Sequence, residues 1–146
     1  RLISHAVYSI IGSSYFLNTI VVYGGDQMRP VIHVKDVALC IYLALHKKNN
    51  KFRVYNVGSN KQNYQMYTLG NLIHEKLPDV KLEVDNSLKD KRNYNVSFNR
   101  LYDLGFETVY TVKDAIDEFY GKFVDKSIKT MNEDVYYRVK YLKKHL

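Results

Sequence analysis

The chain opens on two interleaved apolar rows, Leu2, Ala6 and Ile10 beside Ile3, Val7 and Ile11, which is the spacing of one helix face. Gly12-Ser13-Ser14 supplies a natural stop, so the pattern predicts a helix over residues 1–11 and then a loop. Thr19-Ile-Val-Val-Tyr23 is β-branched and aromatic and reads as a strand closed by the Gly24-Gly25-Asp26 turn. Pro30 to Val34 reads as a second extended piece. Asp36 then caps a helix whose apolar positions, Val37, Cys40, Ile41, Ala44 and Leu45, follow the 3.6-residue period into the polar stretch 47–50. Residues 52–57 are strand-like and meet a turn at Gly58-Ser59-Asn60.

Further on, Leu69, Leu72, Ile73 and Leu77 predict a helix over 67–77 stopped by Pro78, and 81–84 alternates as a strand. Ser97 is placed to cap a short helix running to Leu104, which Gly105 ends in a left-handed conformation. Thr111 caps another helix with Val112, Ala115, Ile116 and Phe119 inward, and Asp114, three residues on, is a carboxylate relative of the capping box. Over 133–146, Val135, Val139 and Leu142 keep helical spacing in a polar context, which predicts a peripheral helix.

Strands alternating with helices argue an α/β fold, a small mixed sheet with helices. The 146 residues suit one domain with a small appendage, divided here into 1–125 and a helical tail over 126–146. With 46% apolar residues, 7 Gly and 2 Pro, the chain is expected to bury a core rather than stay disordered. Its apolar runs fall far short of the ~20 residues that cross a bilayer, so no membrane partner is expected. Cys40 is the single cysteine, which excludes an internal disulfide and leaves the cytoplasm as the expected compartment. The sequence starts at Arg1 and enters an apolar pattern at once, which suggests a start partway through a longer protein.

Charge adds little. Lys and Arg number 22 against 15 Asp and Glu, a formal +7, but 16 of the 22 are scattered lysines, the distribution of a solvated surface rather than of a phosphate-tracking stripe. Nucleic acid is therefore not an expected partner. The 14 tyrosines fall mostly at core-facing spacing beside apolar neighbours. No glycine-rich turn opens a helix after a strand, and no Walker A loop, H-E-x-x-H, C-x-x-C or G-x-S-x-G occurs. No catalytic, cofactor-binding or metal-binding residue is assigned.

One constellation stands out. Val22-Tyr-Gly-Gly-Asp-Gln-Met-Arg-Pro-Val-Ile-His-Val-Lys-Asp-Val-Ala38 is followed by Val54-Tyr-Asn-Val-Gly-Ser59, by Asp90-Lys-Arg-Asn-Tyr-Asn-Val-Ser97 and by Leu104-Gly-Phe106. In this order the blocks, covering about residues 1–119, resemble the C-terminal, substrate-binding portion of extended short-chain dehydrogenases, the NAD-dependent epimerases and dehydratases that act on nucleotide sugars. The resemblance implies the C-terminal part of a Rossmann-type fold without its glycine-rich NAD-binding half. It also implies a parent enzyme that uses NAD(P), a nucleotide-sugar ligand, the missing N-terminal half as partner, and a homodimeric parent.

Within that resemblance Arg29, after a glycine turn and before a strand, is expected to hold its guanidinium at a pocket rim and grip the diphosphate bidentately. Asn60 falls where some members place an asparagine near the nucleotide's phosphate or ribose. Many members carry a second arginine just before the Arg92 block; residues 86–89 offer none, and Lys89 stands in as a point charge. Arg92 and Tyr94 match positions taken to stabilise the fold, Asn56 is read as structural, and His33, inside an apolar strand, as a satisfied core residue. The family's catalytic Tyr-x-x-x-Lys is matched in spacing by Tyr136 and Lys140 alone, where about 1.5 such pairs are expected by chance, so the pair is set aside. Inactivity in isolation is the expectation. The alternative is a non-enzymatic binding or scaffold module that kept the fold and lost the cofactor half.

Overall fold

The computed structural model describes residues 4–47, 54–87, 92–130 and 143–144. The β-branched run Thr19–Tyr23 forms β1, which alternates buried Ile20 and Val22 with more exposed neighbours. β1 pairs in parallel with Lys81–Asp85, and these two strands run in register from Thr19 opposite Lys81 to Tyr23 opposite Asp85. Between them the chain forms an antiparallel ribbon, β2 (Met28–Pro30) against β3 (Asn63–Gln65), with Arg29 opposite Tyr64. The strand Lys81–Asp85 is β4. Among the described residues the expected mixed sheet is two separate two-stranded sheets, one parallel and one antiparallel. The second extended piece is shorter than Pro30 to Val34 and lies earlier, because a helix already begins at Val34.

The first helix, α1 (Ser4–Leu17), runs through Gly12-Ser13-Ser14 rather than stopping there. Ser14 is fully buried and its Oγ donates to the Ile10 carbonyl at 2.6 Å, which satisfies the hydroxyl inside the helix. Tyr15 stacks on Phe123 with ring centroids 5.3 Å apart. Tertiary packing therefore outweighs the weak propensity of Gly and Ser. The stop comes at Asn18, whose φ of 55° is the left-handed conformation that ends helices.

Helix α2 (Val34–His46) is capped by His33, whose Nδ1 accepts from the Lys35 N–H at 3.2 Å. Asp36 is not the cap. Its carboxylate is fully buried and accepts from the N–H groups of Val109 at 2.9 Å and Tyr110 at 3.1 Å, tying the loop before Thr111 to α2. Of the five apolar positions assigned to this helix's core face, Cys40 is buried and Val37 half-buried, while Ile41, Ala44 and Leu45 are exposed. The described part of the strand expected at 52–57, residues 54–57, has no regular secondary structure and joins no ladder among the described residues.

Helix α3 (Met66–Lys76) lies across β1 and β4 through Leu69, Gly70 and Ile73. A Cβ at Gly70 would stand 2.5 Å from Val22 Cγ2, so the contact admits only glycine without rearrangement. Short helix α4 (Asn99–Tyr102) has Phe98 rather than Ser97 at its N-cap and ends before Leu104. Phe98 is anchored by its buried ring, and the turn beyond α4 ends at Gly105 with φ 88°. Helix α5 (Val112–Val124) carries the expected capping box, Thr111 with Asp114. One core joins α1, β1, α3 and α5 around Ile11, Ile20, Leu69, Ile73, Ile116 and Phe123, and Ile128 is buried in it; a smaller cluster gathers Cys40, Leu101 and Phe106. The helix expected over 133–146 lies outside the described residues but for Lys143 and Lys144. No described helix is long and apolar enough to cross a membrane.

Candidate functional site

The β2–β3 ribbon is edged by residues 92–98, a segment without regular structure that side-chain amides hold in place. Asn63 clasps Val96 through both of its amide atoms, Nδ2 donating to the Val96 carbonyl at 3.0 Å and Oδ1 accepting its N–H at 3.0 Å. Asn60 Oδ1 accepts from the Phe98 N–H at 2.9 Å, Asn56 Nδ2 donates to the Ser97 carbonyl at 3.2 Å, and Asn93 Oδ1 accepts from the Met28 N–H at 2.8 Å. These amides take the place of a strand partner, since each mimics a peptide's donor or acceptor. Extended, six residue steps span at most ~20 Å, so Arg92 and Phe98 bracket one continuous edge.

Arg29 sits in the middle of β2, half-buried. Its Nη1 donates to the Met28 carbonyl at 2.7 Å and to the Arg92 carbonyl, and its guanidinium carbon lies 4.9 Å from the centre of the Tyr94 ring. A planar cation fixed on one side by carbonyls and on its face by an aromatic ring is pre-organised to present a charge. Tyr64, opposite Arg29, has its phenol pushed above its ordinary pKa by burial.

Asn60 lies at the far end of the same edge. Besides holding Phe98, its Nδ2 donates to Asn99 Oδ1 at 2.6 Å. It borders a cavity of about 400 Å³ between residues 58–61, the start of α4 and residues 106–108, walled by Phe98, Tyr102 and Phe106. Arg29 and Asn60 are thus joined through segment 92–98 without touching each other's partners. Lys89 lies outside the described residues, as do Tyr136 and Lys140. The organising roles of Asn63 and Asn93 were not read from the sequence. Their only signal is the recurrence of Asn at 93, 95 and 99 opposite Asn60 and Asn63.

A second polar group lies at the start of α2. The His33 ring is buried, stacks on Tyr110 with centroids 4.8 Å apart, and places Nε2 3.6 Å from Glu118 Oε2. The same oxygen accepts from Lys35 Nζ at 2.8 Å. That hydrogen bond from Lys35 holds the Glu118 carboxyl below its ordinary pKa and raises that of Lys35. His33 is a capping and packing residue in this arrangement. Among the described residues no three His, Cys, Asp or Glu side chains stand close enough to hold a metal ion.

The glycine turn after β1 does not fit a dinucleotide's pyrophosphate. That role needs free amides at a helix N-terminus, whereas Gly24 N–H is bonded to the Asp85 carbonyl at 2.8 Å and Gly25 N–H to Gln27 Oε1 at 2.8 Å. The chain continues from this turn into β2, not into a helix.

Residues 1–58 match the model of the NAD dependent epimerase/dehydratase family. No curated protein matches. Among solved structures, ADP-L-glycero-D-manno-heptose-6-epimerase of Helicobacter pylori is similar with a TM-score of 0.63 at 20% identity, over 79% of this chain and 36% of that one. RMD of Pseudomonas aeruginosa, solved with NADPH, gives 0.65 at 23% identity over 85% and 42%. L-threonine dehydrogenase of Phytophthora infestans gives 0.67 at 12% identity over 86% and 43%. At these identities the likeness establishes the fold, which is part of a Rossmann-type α/β architecture. The chain spans about two-fifths of the length of these structures. The family model covers the motif block at 22–38 and most of that at 54–59, and the blocks at 90–97 and 104–106 lie beyond it.

Proposed function

We propose that this chain is the substrate-binding part of an NAD(P)-dependent nucleotide-sugar epimerase or dehydratase, with the dinucleotide held by a separate half and no turnover by the chain alone. The observation that carries the reading is Arg29, locked in β2 by two main-chain carbonyls and the Tyr94 ring at the rim of the amide-held edge. A guanidinium so held suits a diphosphate, to which it can offer charge-assisted bonds. The family resemblance assigns Lys89 a second positive charge for the diphosphate, and Asn60 shapes the edge along which the nucleotide lies. The occupied amides of Gly24 and Gly25 support a cofactor site elsewhere. The family match over residues 1–58 and the ADP-heptose epimerase among the similar folds support a nucleotide-sugar substrate.

Titration of the purified chain with a nucleoside-diphosphate sugar and with the free sugar, followed by amide chemical shifts, tests this. The nucleotide sugar is expected to bind and the free sugar not to. Arg29→Ala should weaken binding about 10- to 100-fold, the worth of a charge-assisted hydrogen bond of ~1.5–3 kcal/mol. Unchanged affinity in that variant, or NAD reduction or sugar epimerisation by the chain alone, overturns the proposal. A non-enzymatic scaffold module predicts no nucleotide-sugar binding at all.

A further inference from the structure

The C-terminal ends of α1 and α5 meet in a group of aromatic rings. Phe123 is buried; Tyr15 stacks on it, Phe16 meets it edge-on with centroids 5.5 Å apart, and Tyr15 also meets Tyr120 at 6.4 Å. The outer side of this group is open. Tyr15 and Phe16 are each 39% exposed, and Val124, which follows Phe123 and stands one turn beyond Tyr120, is 53% exposed. Single exposed apolar side chains are ordinary on a protein surface, but a contiguous apolar patch marks a contact surface.

The chain itself turns back beside this patch. After α5, Lys126 takes a left-handed conformation with φ 61°, its N–H bonds to the Phe123 carbonyl at 3.2 Å, and the Ile128 N–H returns to the Lys122 carbonyl at 3.0 Å. A left-handed residue of this kind reverses the chain at a helix end. Ile128 is then buried in the same core as Phe123, so the residues that follow leave from beside the aromatic group.

Those residues carry the pattern of an amphipathic helix. Val135, Val139, Leu142 and Leu146 recur at i, i+4, i+7 and i+11, and helical geometry puts Glu133, Lys140 and Lys144 on the opposite side. Lys143 and Lys144, the described residues of this stretch, are helical and exposed. From Thr130 to Val135 the extended chain reaches at most ~17 Å. A helix over 133–146 is about 21 Å long, which matches the 14 residues of α1. The charges agree as well, since exposed Lys126 and Lys129 lie just ahead of Glu133 and Asp134.

We infer that residues 133–146 form a helix that docks its row of Val135, Val139 and Leu142 on the patch of Tyr15, Phe16 and Val124, strapping α1 to α5. A tethered segment meets the patch at an effective concentration that a free partner has to match in solution. The inference goes beyond the proposed function and needs nothing from it.

The chain has no tryptophan, so Phe16→Trp in the full 146-residue protein puts a single reporter on the patch. Its emission should be that of a covered ring. Adding Val139→Glu and Leu142→Glu together should shift the emission to the red and raise acrylamide quenching by a factor on the order of 3, while Lys140→Glu changes neither. Thiol labelling reads the same contact from the tail and leaves the core untouched. Val139→Cys should react with a maleimide at least ~10-fold more slowly than Lys140→Cys, with the buried Cys40 as the slow internal reference. Circular dichroism and sedimentation check that each variant is a folded monomer. Equal labelling at the two positions, or a reporter indifferent to the paired glutamates, overturns the inference. Protection that fades as a dimer is diluted assigns the patch to a second copy and overturns it too.

Discussion

The guanidinium of Arg29 lies face-on to Tyr94, 4.9 Å from the ring centre, although 65 residues separate the two in sequence. Tyr94 arrives there because Asn93 bonds the Met28 N–H and Asn63 clasps Val96, on either side of it. The cation's position is therefore set by neighbours of the tyrosine as much as by β2.

Removing the ring should loosen the cation without removing its charge. Tyr94→Ala is expected to weaken nucleotide-sugar binding by about 2- to 5-fold, the worth of an exposed cation–π contact of ~0.5–1 kcal/mol. Tyr94→Phe should bind as the parent does, and a titration of the three proteins checks it. Equal loss in both variants points to the hydroxyl instead.

Asp36 offers a sharper stability test. Its two buried carboxylate oxygens each accept one main-chain N–H. Asparagine keeps one acceptor and turns a donor toward the other N–H, at a cost of about 1–3 kcal/mol for the group left without a partner. Urea unfolding should place Asp36→Asn below the parent and Asp36→Ala lower still. An unchanged midpoint for Asp36→Asn contradicts the tie between α2 and the 109–110 loop.

At Gly70 two effects oppose each other. Alanine gains helix propensity of ~1 kcal/mol, but its Cβ meets Val22 Cγ2 at 2.5 Å, and overpacking costs about 1–3 kcal/mol. The clash lies in the β1–α3 contact at the centre of the core, where neither element gives easily. Gly70→Ala is expected to lower the melting temperature. A stabilised variant shows instead that α3 can rise off the sheet.

The capping box sets part of the acid response. Asp114 has its carboxyl held below the ordinary 3.8, first by the Thr111 hydroxyl and then by the Thr111 N–H. A carboxyl with a lowered folded pKa stabilises fully above the unfolded value, and that stability disappears as pH falls through the folded value. Thr111→Ala should cost about 1 kcal/mol at neutral pH and should flatten the loss of stability below pH 3.8. Chemical unfolding of both proteins at neutral and strongly acid pH checks the slope.

Much of this architecture is legible in the residues. β1, β4 and the Thr111 cap follow directly from a β-branched run, an alternating stretch and a capping pattern, because their determinants are local. Three departures share a cause. Gly12-Ser13-Ser14 reads as a stop, yet Phe123, more than a hundred residues on, stacks on Tyr15 directly after it and holds the helix together. Asp36 has the look of a cap, and its true partners sit 73 and 74 residues away. Ile41 and Leu45 have core-face spacing, but the core does not reach them. At the candidate site Arg29 stands out through its glycine turn and ordered neighbours. The asparagines that position it do not, since an amide that imitates a backbone partner leaves no periodic mark.

Segment 92–98 is fastened to its surroundings largely by neutral amides, while α2 and α5 are linked through the Lys35–Glu118 ion pair. Salt screens exposed ion pairs and acid discharges carboxylates, but neither acts on an uncharged amide contact. The framework behind Arg29 is therefore insulated from changes of ionic strength and acidity that loosen the helix pair, and a change in ligand affinity with salt reports on the ligand's own charge rather than on a rearranged edge.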